Sequence, residues 1–131
     1  MSVARGRFEV KLSPQSLADS TADPSLGRLA IDKQFHGALQ GSSRGEMLSA
    51  RTPVNDSAGY VAIERVTATL DGRNGTFVLQ HSGTMNRGQQ HLTVTVVPDS
   101  GTGDLVGLTG TMSIRIADGK HFYELQYSLS R

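Results

Sequence analysis

Apolar and polar residues alternate with a period of two along most of the chain, which is the pattern of β-strands buried on one face. The second such segment places Leu29, Ile31, Phe35 and Leu39 on one face. Eight segments follow this pattern or are rich in β-branched residues: residues 7–12, 29–40, 46–50, 60–70, 76–83, 91–97, 108–116 and 120–129. We therefore predict about eight strands and no helix of three turns.

Turn residues separate the predicted strands. The run Asp71-Gly72-Arg73-Asn74-Gly75 predicts a hairpin, and Asp118-Gly119 predicts a second one with a two-residue turn. Asp-Gly and Asn-Gly favour such turns because these residues adopt positive φ readily. Residues 41–45 begin and end with glycine and are likewise predicted to be a turn, and residues 13–26 and 52–59 are predicted loops.

Strands that alternate in this way have one apolar and one polar face. Eight such strands bury the apolar face best by closing on themselves, which also removes exposed edges. We predict an all-β fold, a closed antiparallel barrel of about eight strands, with a two-sheet sandwich as the alternative. A chain of 131 residues suits one domain, so residues 1–131 are predicted to form a single β-barrel domain.

Composition narrows the classes of function. Net charge is +1 and the arginines form no stripe, so no nucleic-acid partner is expected. There is no cysteine, the four histidines lack zinc-type spacing, and no helix follows the glycine-rich residues 101–107, so we expect no metal and no cofactor. Neither a signal peptide nor an apolar membrane span is recognisable, which predicts a cytoplasmic protein with no membrane association.

Several polar side chains lie on the predicted inner faces of the strands. Glu64 shares a face with Tyr60 and Val66, and His81 shares one with Phe77 and Leu79. Pairing Leu70 with Gly75 places Glu64 directly opposite His81, and pairing Leu70 with Phe77 places them diagonally. Either pairing makes Glu64 and His81 neighbours inside the barrel.

A carboxylate that orients an imidazole is a common general base, so Glu64 and His81 are the candidate catalytic residues. A satisfied internal polar pair explains the same pattern. Other polar residues also lie with apolar ones. Lys33 is expected to bury its stem and to extend its ammonium into water near the barrel end, and Glu46 is placed on the inner face with Leu48.

The remaining aromatic and histidine residues have simpler interpretations. The Asp118-Gly119 turn pairs Gly110 with Tyr127 and Ile114 with Tyr123, and both tyrosines are predicted to pack in the core with a satisfied hydroxyl. His36 and His91 are expected to be exposed. His121, near a barrel mouth, is compatible with either an interior or an exposed position.

Several stretches of the chain carry a resemblance to a known family. Residues 59–64, 71–77, 81–83 and, most specifically, 92–105 resemble a bacterial family of small proteins known as a domain of unknown function, and residues 45–48 and 121–123 also fit it. The resemblance implies an antiparallel barrel of the allene oxide cyclase-like kind, with an apolar cavity that contains a few polar groups. It also implies assembly into oligomers, and it brings no activity with it.

Three functions are compatible with these observations. The first is binding of a small apolar ligand inside the barrel, by the predicted ligand-binding residues Phe35, Tyr60, Phe77, Leu79, Met112, His121, Tyr123 and Tyr127. The second is an isomerase or cyclase in which Glu64 and His81 act as acid and base. The third is a non-catalytic interaction protein that forms a homo-oligomer through outward residues such as Val61 and Ile63.

Overall fold

The computed structural model describes residues 1–17 and 24–129. The strands are β1 Ser2–Gln15, β2 Leu26–Gly37, β3 Leu39–Arg51, β4 Ala58–Leu70, β5 Arg73–Asn86, β6 Gln89–Val96, β7 Leu108–Ala117 and β8 Lys120–Leu129. Strand order follows chain order, and β8 pairs antiparallel with β1, so the sheet closes into a barrel. This confirms the predicted all-β fold with a closed antiparallel barrel of eight strands.

One end of the barrel is filled by packed side chains, and we call it the closed end. The loop between β6 and β7 folds against this end, where Thr102 hydrogen-bonds Thr76 of β5 and a short 3₁₀ turn, Gly103–Leu105, buries Leu105 completely. Large apolar residues without solvent exposure fill the space beneath, namely Phe35, Leu39, Leu70, Phe77, Leu79 and Leu125. The opposite end, which the turns β3–β4, β5–β6 and β7–β8 surround, is the open end.

The turn between β2 and β3 differs from the prediction. It lies at Gly37 and Ala38, where Gly37 has φ 110°, and residues 41–45 belong to β3. Gly41 and Gly45 lie in this strand at points where the backbone of the neighbouring strand approaches closely. In the sequence, strand glycines of this kind look the same as the glycines of a turn. The prediction that Glu46 faces inward is also wrong: it is exposed and pairs with Arg28 on the outer face.

The β4–β5 hairpin has a tighter turn than either predicted pairing. Asp71 and Gly72 both have positive φ, so the turn has two residues and Leu70 pairs with Arg73. Both predicted registers are therefore wrong, by two and by four residues. A register shift by an even number of residues keeps every side chain on its face of the sheet. The β7–β8 hairpin, in contrast, has the predicted pairing of Gly110 with Tyr127 and Ile114 with Tyr123.

Gly45 is a strand glycine at which a larger residue is expected to disturb the barrel. A Cβ atom there would lie 1.9 Å from the carbonyl oxygen of Ile63 and 2.6 Å from Cα of Glu64. Neither atom belongs to a flexible side chain, so β3 or β4 would have to shift. We expect Gly45→Ala to lower the free energy of unfolding by about 1–3 kcal/mol, measured by urea unfolding.

Gly59 supplies the matched control for this substitution. It also lies in a barrel strand, but its Cβ would meet nothing closer than 3.7 Å. Gly59→Ala is therefore expected to change stability by less than about 1 kcal/mol. Equal losses in the two variants would contradict the close-approach explanation for Gly45.

Candidate functional site

A cavity of about 440 Å³ opens at the open end of the barrel, and most of its lining is apolar. Its wall is built from the first residues of β2, β4, β6 and β8 and from the last residues of β1, β3, β5 and β7. Its apolar wall is formed by Phe8, Val10, Leu12, Leu29, Ile31, Met47, Ala50, Ala58, Gly59, Tyr60, Ala62, Gly83, Met85, Leu92, Ile114 and Ile116. This volume lies within the range of small-molecule sites, about 300–1,000 Å³.

Lys33 and His81 are the buried basic residues that line this cavity. Lys33 is 6% exposed and His81 is 4% exposed. Alternation along β2 and β5 turns both side chains inward, between apolar neighbours on the same strand. The cavity thus combines an apolar wall with two strongly desolvated nitrogen groups.

Glu64 lies behind these two residues and is completely buried. Its Oε2 atom is 2.7 Å from Lys33 Nζ and 2.5 Å from His81 Nε2, and its Oε1 atom is 2.5 Å from Ser43 Oγ. In the β4–β5 ladder Glu64 pairs with Leu79, so His81 is its diagonal neighbour two residues along. The predicted Glu64–His81 contact is therefore present, whereas its catalytic role stays a prediction.

The carboxyl group of Glu64 is ionised at neutral pH. Burial raises its pKa, but the hydrogen bond from His81, the charge and hydrogen bond of Lys33 and the hydrogen bond from Ser43 outweigh burial and lower the pKa to about 2. An ionised carboxylate accepts hydrogen bonds and donates none, so His81 must donate through Nε2. Within residues 1–17 and 24–129, His81 Nδ1 has no hydrogen-bond partner, which leaves it available to a bound molecule.

Two aromatic rings lie near the Lys33 ammonium. Its Nζ lies 4.8 Å from the ring centre of Phe8 and 5.8 Å from that of Phe35. Phe8 in turn contacts His121, with ring centres 5.0 Å apart. Such cation–π contacts stabilise a desolvated ammonium by about 0.5–2 kcal/mol, so the two rings add to the hydrogen bond with Glu64 in holding Lys33 in place.

The structure corrects the predicted lining of the cavity. Of the predicted ligand-binding residues, Tyr60 and His121 line the cavity, and their binding role stays a prediction. The others belong to the packed core and do not line it: Phe35, Phe77, Leu79, Met112, Tyr123 and Tyr127. The physical reason is position along the strand, because inward residues near the closed end meet other side chains and only those near the open end meet empty space.

Tyr123 and Tyr127 lie in the core, and their hydroxyl groups hydrogen-bond to turns at the closed end. The Tyr123 hydroxyl lies 2.9 Å from the carbonyl oxygens of His36 and Leu39 and accepts a hydrogen bond from the Leu39 amide. The Tyr127 hydroxyl bonds the carboxylate of Asp71 in the β4–β5 turn. Both residues thus pack in the core with satisfied hydroxyls, as predicted.

Sequence reasoning missed two members of the Glu64 cluster. Lys33 was expected to extend its ammonium into water, but the ammonium lies inside on Glu64. A lysine between Ile31 and Phe35, on the same inner face as a glutamate elsewhere, was the available signal. Ser43 gave no such signal, because the segment that contains it was predicted to be a turn. His91, although exposed as predicted, lies on the rim of the cavity.

Two other surface features lie outside the barrel. A hollow of about 730 Å³ on the outer face of β1 and β8 is bordered by exposed charged residues such as Arg5, which pairs with Glu124. We do not treat it as a site, because solvated ion pairs of this kind need no ligand.

Val61 and Ile63 point outward as predicted, and their side chains are 53% and 50% exposed. The oligomer that they were proposed to form stays a prediction.

Among the described residues, no helix is long and apolar enough to span a membrane.

Comparisons with known proteins agree on the fold and on the family. The curated proteins contain no match to this chain. A solved structure of a protein of unknown function from Shewanella oneidensis MR-1 is 51% identical, covers 100% of this chain and 98% of its own, and superposes with a TM-score of 0.94. The model of a family of proteins of unknown function, DUF3224, matches residues 4–127, and the chain belongs to this family.

Proposed function

We propose that the protein binds a small, mostly apolar molecule in the open end of its barrel, with the polar part of that molecule against Lys33 and His81. The observation that carries this proposal is the 440 Å³ apolar cavity with two buried basic groups in its wall. Binding sites of small molecules typically combine an apolar wall with a few convergent polar groups.

The rim of the cavity supports this proposal. Three large apolar side chains on the rim are partly exposed, Leu12 at 44%, Leu92 at 41% and Ile116 at 65%. Exposed apolar side chains that cluster around an opening are typical of binding sites. An apolar ligand at this position would remove them from water, at a gain of about 25 cal/mol per Å² of apolar area.

The Glu64 cluster supports the proposal in a second way. Lys33 has three N–H donors and His81 has a free ring nitrogen, and hydrogen bonds to one carboxylate oxygen fix both side chains. A ligand that meets two fixed groups loses less binding energy to side-chain ordering, about 0.5–1.5 kcal/mol for each side chain. The cluster therefore preorganises the polar part of the site.

The proposal is tested by filling the cavity. Ala58 lines the open end and is partly buried, so Ala58→Trp should place an indole in the opening and leave the closed end intact. We expect the neutral apolar fluorophore N-phenyl-1-naphthylamine to bind the native protein, and at least tenfold more weakly to this variant. The measurement is a fluorescence titration of both proteins.

Thr67→Trp is the matched control, because Thr67 is exposed on the outer face of the same strand. Its affinity for the fluorophore should stay within twofold of the native value. Failure of the native protein to bind, or equal binding by the native protein and Ala58→Trp, would overturn the proposed function.

Catalysis is the second candidate, and the arrangement of His81 favours it. Glu64 accepts the Nε2 hydrogen bond of His81, which leaves Nδ1 as the nitrogen that could take a proton from a bound molecule. Lys33 beside it would stabilise negative charge on an isomerising or cyclising substrate. Turnover that disappears in His81→Gln while binding is only weakened would distinguish an isomerase or cyclase from a binding protein.

Other features of this function also stay proposals. The allene oxide cyclase-like character of the barrel, the homo-oligomer and the cytoplasmic location rest on the sequence. The site described above depends on none of the three, since every residue in it belongs to a single chain.

A further inference from the structure

The charged residues that line the cavity are all basic. Lys33 lies in the wall, Arg51 lies on the rim, and three of the four histidines of the chain also line the cavity. These histidines are His81, His91 and His121. Within the described parts of the chain, no aspartate or glutamate lines the cavity. A wall whose ionisable groups are all bases favours an acidic ligand over a basic one.

The wall of the cavity also has free hydrogen-bond donors, which a negatively charged ligand would accept from. Lys33 Nζ has three donors and makes one hydrogen bond, to Glu64, among the residues described. His81 bonds the same oxygen of Glu64, so the Lys33 ammonium and the His81 ring lie side by side. Two N–H groups of Lys33 and the Nδ1 side of His81 are thus free to meet one ligand group.

We propose that the ligand is an apolar monocarboxylic acid whose carboxylate is received by Lys33 and by the protonated form of His81. This inference rests on the proposed function and names the chemical class that the cavity takes. Two adjacent N–H donors match the two oxygens of a carboxylate, and hydrogen bonds between charged partners are about twice as strong as neutral ones.

Charge balance requires a proton on His81 in this complex. The charges of Glu64 and Lys33 cancel, so a buried carboxylate brings an uncompensated negative charge unless His81 carries a positive one. The other titratable or charged groups that face the site are Tyr60 of β4, Arg51 of β3, His91 of β6 and His121 of β8. Burial and the charge of Glu64 raise the pKa of Tyr60, so it stays neutral.

The experiment displaces N-phenyl-1-naphthylamine with three ligands that share one apolar chain, decanoic acid, decan-1-ol and decylamine. At pH 7 we expect the acid to bind at least tenfold more tightly than the alcohol, and the amine to bind least.

A double variant, Lys33→Met with Glu64→Gln, removes the ammonium and its counter-charge together, so no buried charge is left uncompensated. Its preference for acid over alcohol should disappear while the alcohol still binds within threefold of the native affinity. Lys11→Met removes the same charge from an exposed position of β1 and should keep the preference.

Each outcome decides one statement. Equal or tighter binding of the alcohol than of the acid, or a preference for acid that survives in the double variant, overturns the carboxylic-acid inference. Displacement by the alcohol alone overturns the inference and leaves the proposed function intact. Failure of the fluorophore itself to bind overturns the proposed function.

Discussion

Glu64→Gln is expected to lower the free energy of unfolding by about 3–5 kcal/mol, as is typical when one partner of a buried ion pair is removed. The amide keeps the size of the side chain, so the loss reports charge and not a cavity. Without the carboxylate, the ammonium of Lys33, only 6% exposed, has no counter-charge, and His81 loses its charged acceptor. Urea unfolding followed by far-UV circular dichroism measures the effect.

The matched control is Glu46→Gln, which removes an exposed carboxylate paired with Arg28 on the outer face. Exposed pairs contribute about 0–1 kcal/mol, so this variant should be nearly as stable as the native protein. The double variant of Lys33 and Glu64 should be more stable than Glu64→Gln, since it removes the uncompensated ammonium. A loss below about 1 kcal/mol in Glu64→Gln would show that the Glu64 cluster has no structural role.

The second large effect is a loss of stability in acid that belongs to Glu64. Its pKa is about 2 in the folded protein and about 4.3 in an unfolded chain. A lowered pKa stabilises the folded state above the unfolded pKa, and that contribution disappears as the pH falls through the folded pKa. Linkage gives about 3 kcal/mol, fully present above about pH 5 and lost between about pH 4 and pH 2.

The measurement is the free energy of unfolding of the native protein and of the Lys33→Met, Glu64→Gln variant at pH 7, 4, 3 and 2. The difference between the two proteins isolates Glu64, because their other carboxyl groups are the same. The exposed Glu9 and Glu46 also have lowered pKa values, Glu9 chiefly through His36 and Glu46 chiefly through Arg28, but both remain in the variant. Parallel pH profiles would contradict an ionised Glu64 in the folded protein.

The arrangement of the Glu64 cluster supports the proposed binding site. Replacing a buried ion pair by apolar residues of similar volume is often neutral or stabilising, so packing gives no reason to keep it. Ser43, Lys33 and His81 together satisfy both oxygens of Glu64. Two of these partners, Lys33 and His81, also line the cavity, which a purely structural ion pair would not require.

Turn chemistry and alternation predicted much of the fold, because both are local. Asp118 and Gly119 have the positive φ that their residue types favour, and they set the register of β7 and β8 as expected. In the β4–β5 hairpin the predicted turn was too long, but side chains alternate with a period of two. The even error therefore left Glu64 and His81 on the inner face and within reach of each other.

Predictions from short stretches of sequence were wrong where one residue type has two structural uses, as glycine does in turns and in closely packed strands. Gly41 and Gly45 resemble a turn in sequence, but they allow β4 to approach β3. Misplacing that turn put Glu46 inside and left Ser43 out of the site. Lys33 was misplaced for a related reason, since the position of its ammonium depends on a carboxylate 31 residues away.

Strand periodicity and Asp-Gly turns act over a few residues, so the chain predicted about eight strands, a closed barrel with a sandwich as the alternative, and the inward direction of Glu64 and His81. Which end of the barrel is empty depends instead on contacts between distant residues. Large side chains and the Leu105 turn fill one end, so Phe35, Phe77 and Tyr123 became core. Closure of the sheet also brought Lys33 from β2, Ser43 from β3 and His81 from β5 onto Glu64 of β4. Contacts between residues so far apart in the chain depend on the register of every hairpin between them, which no local pattern specifies.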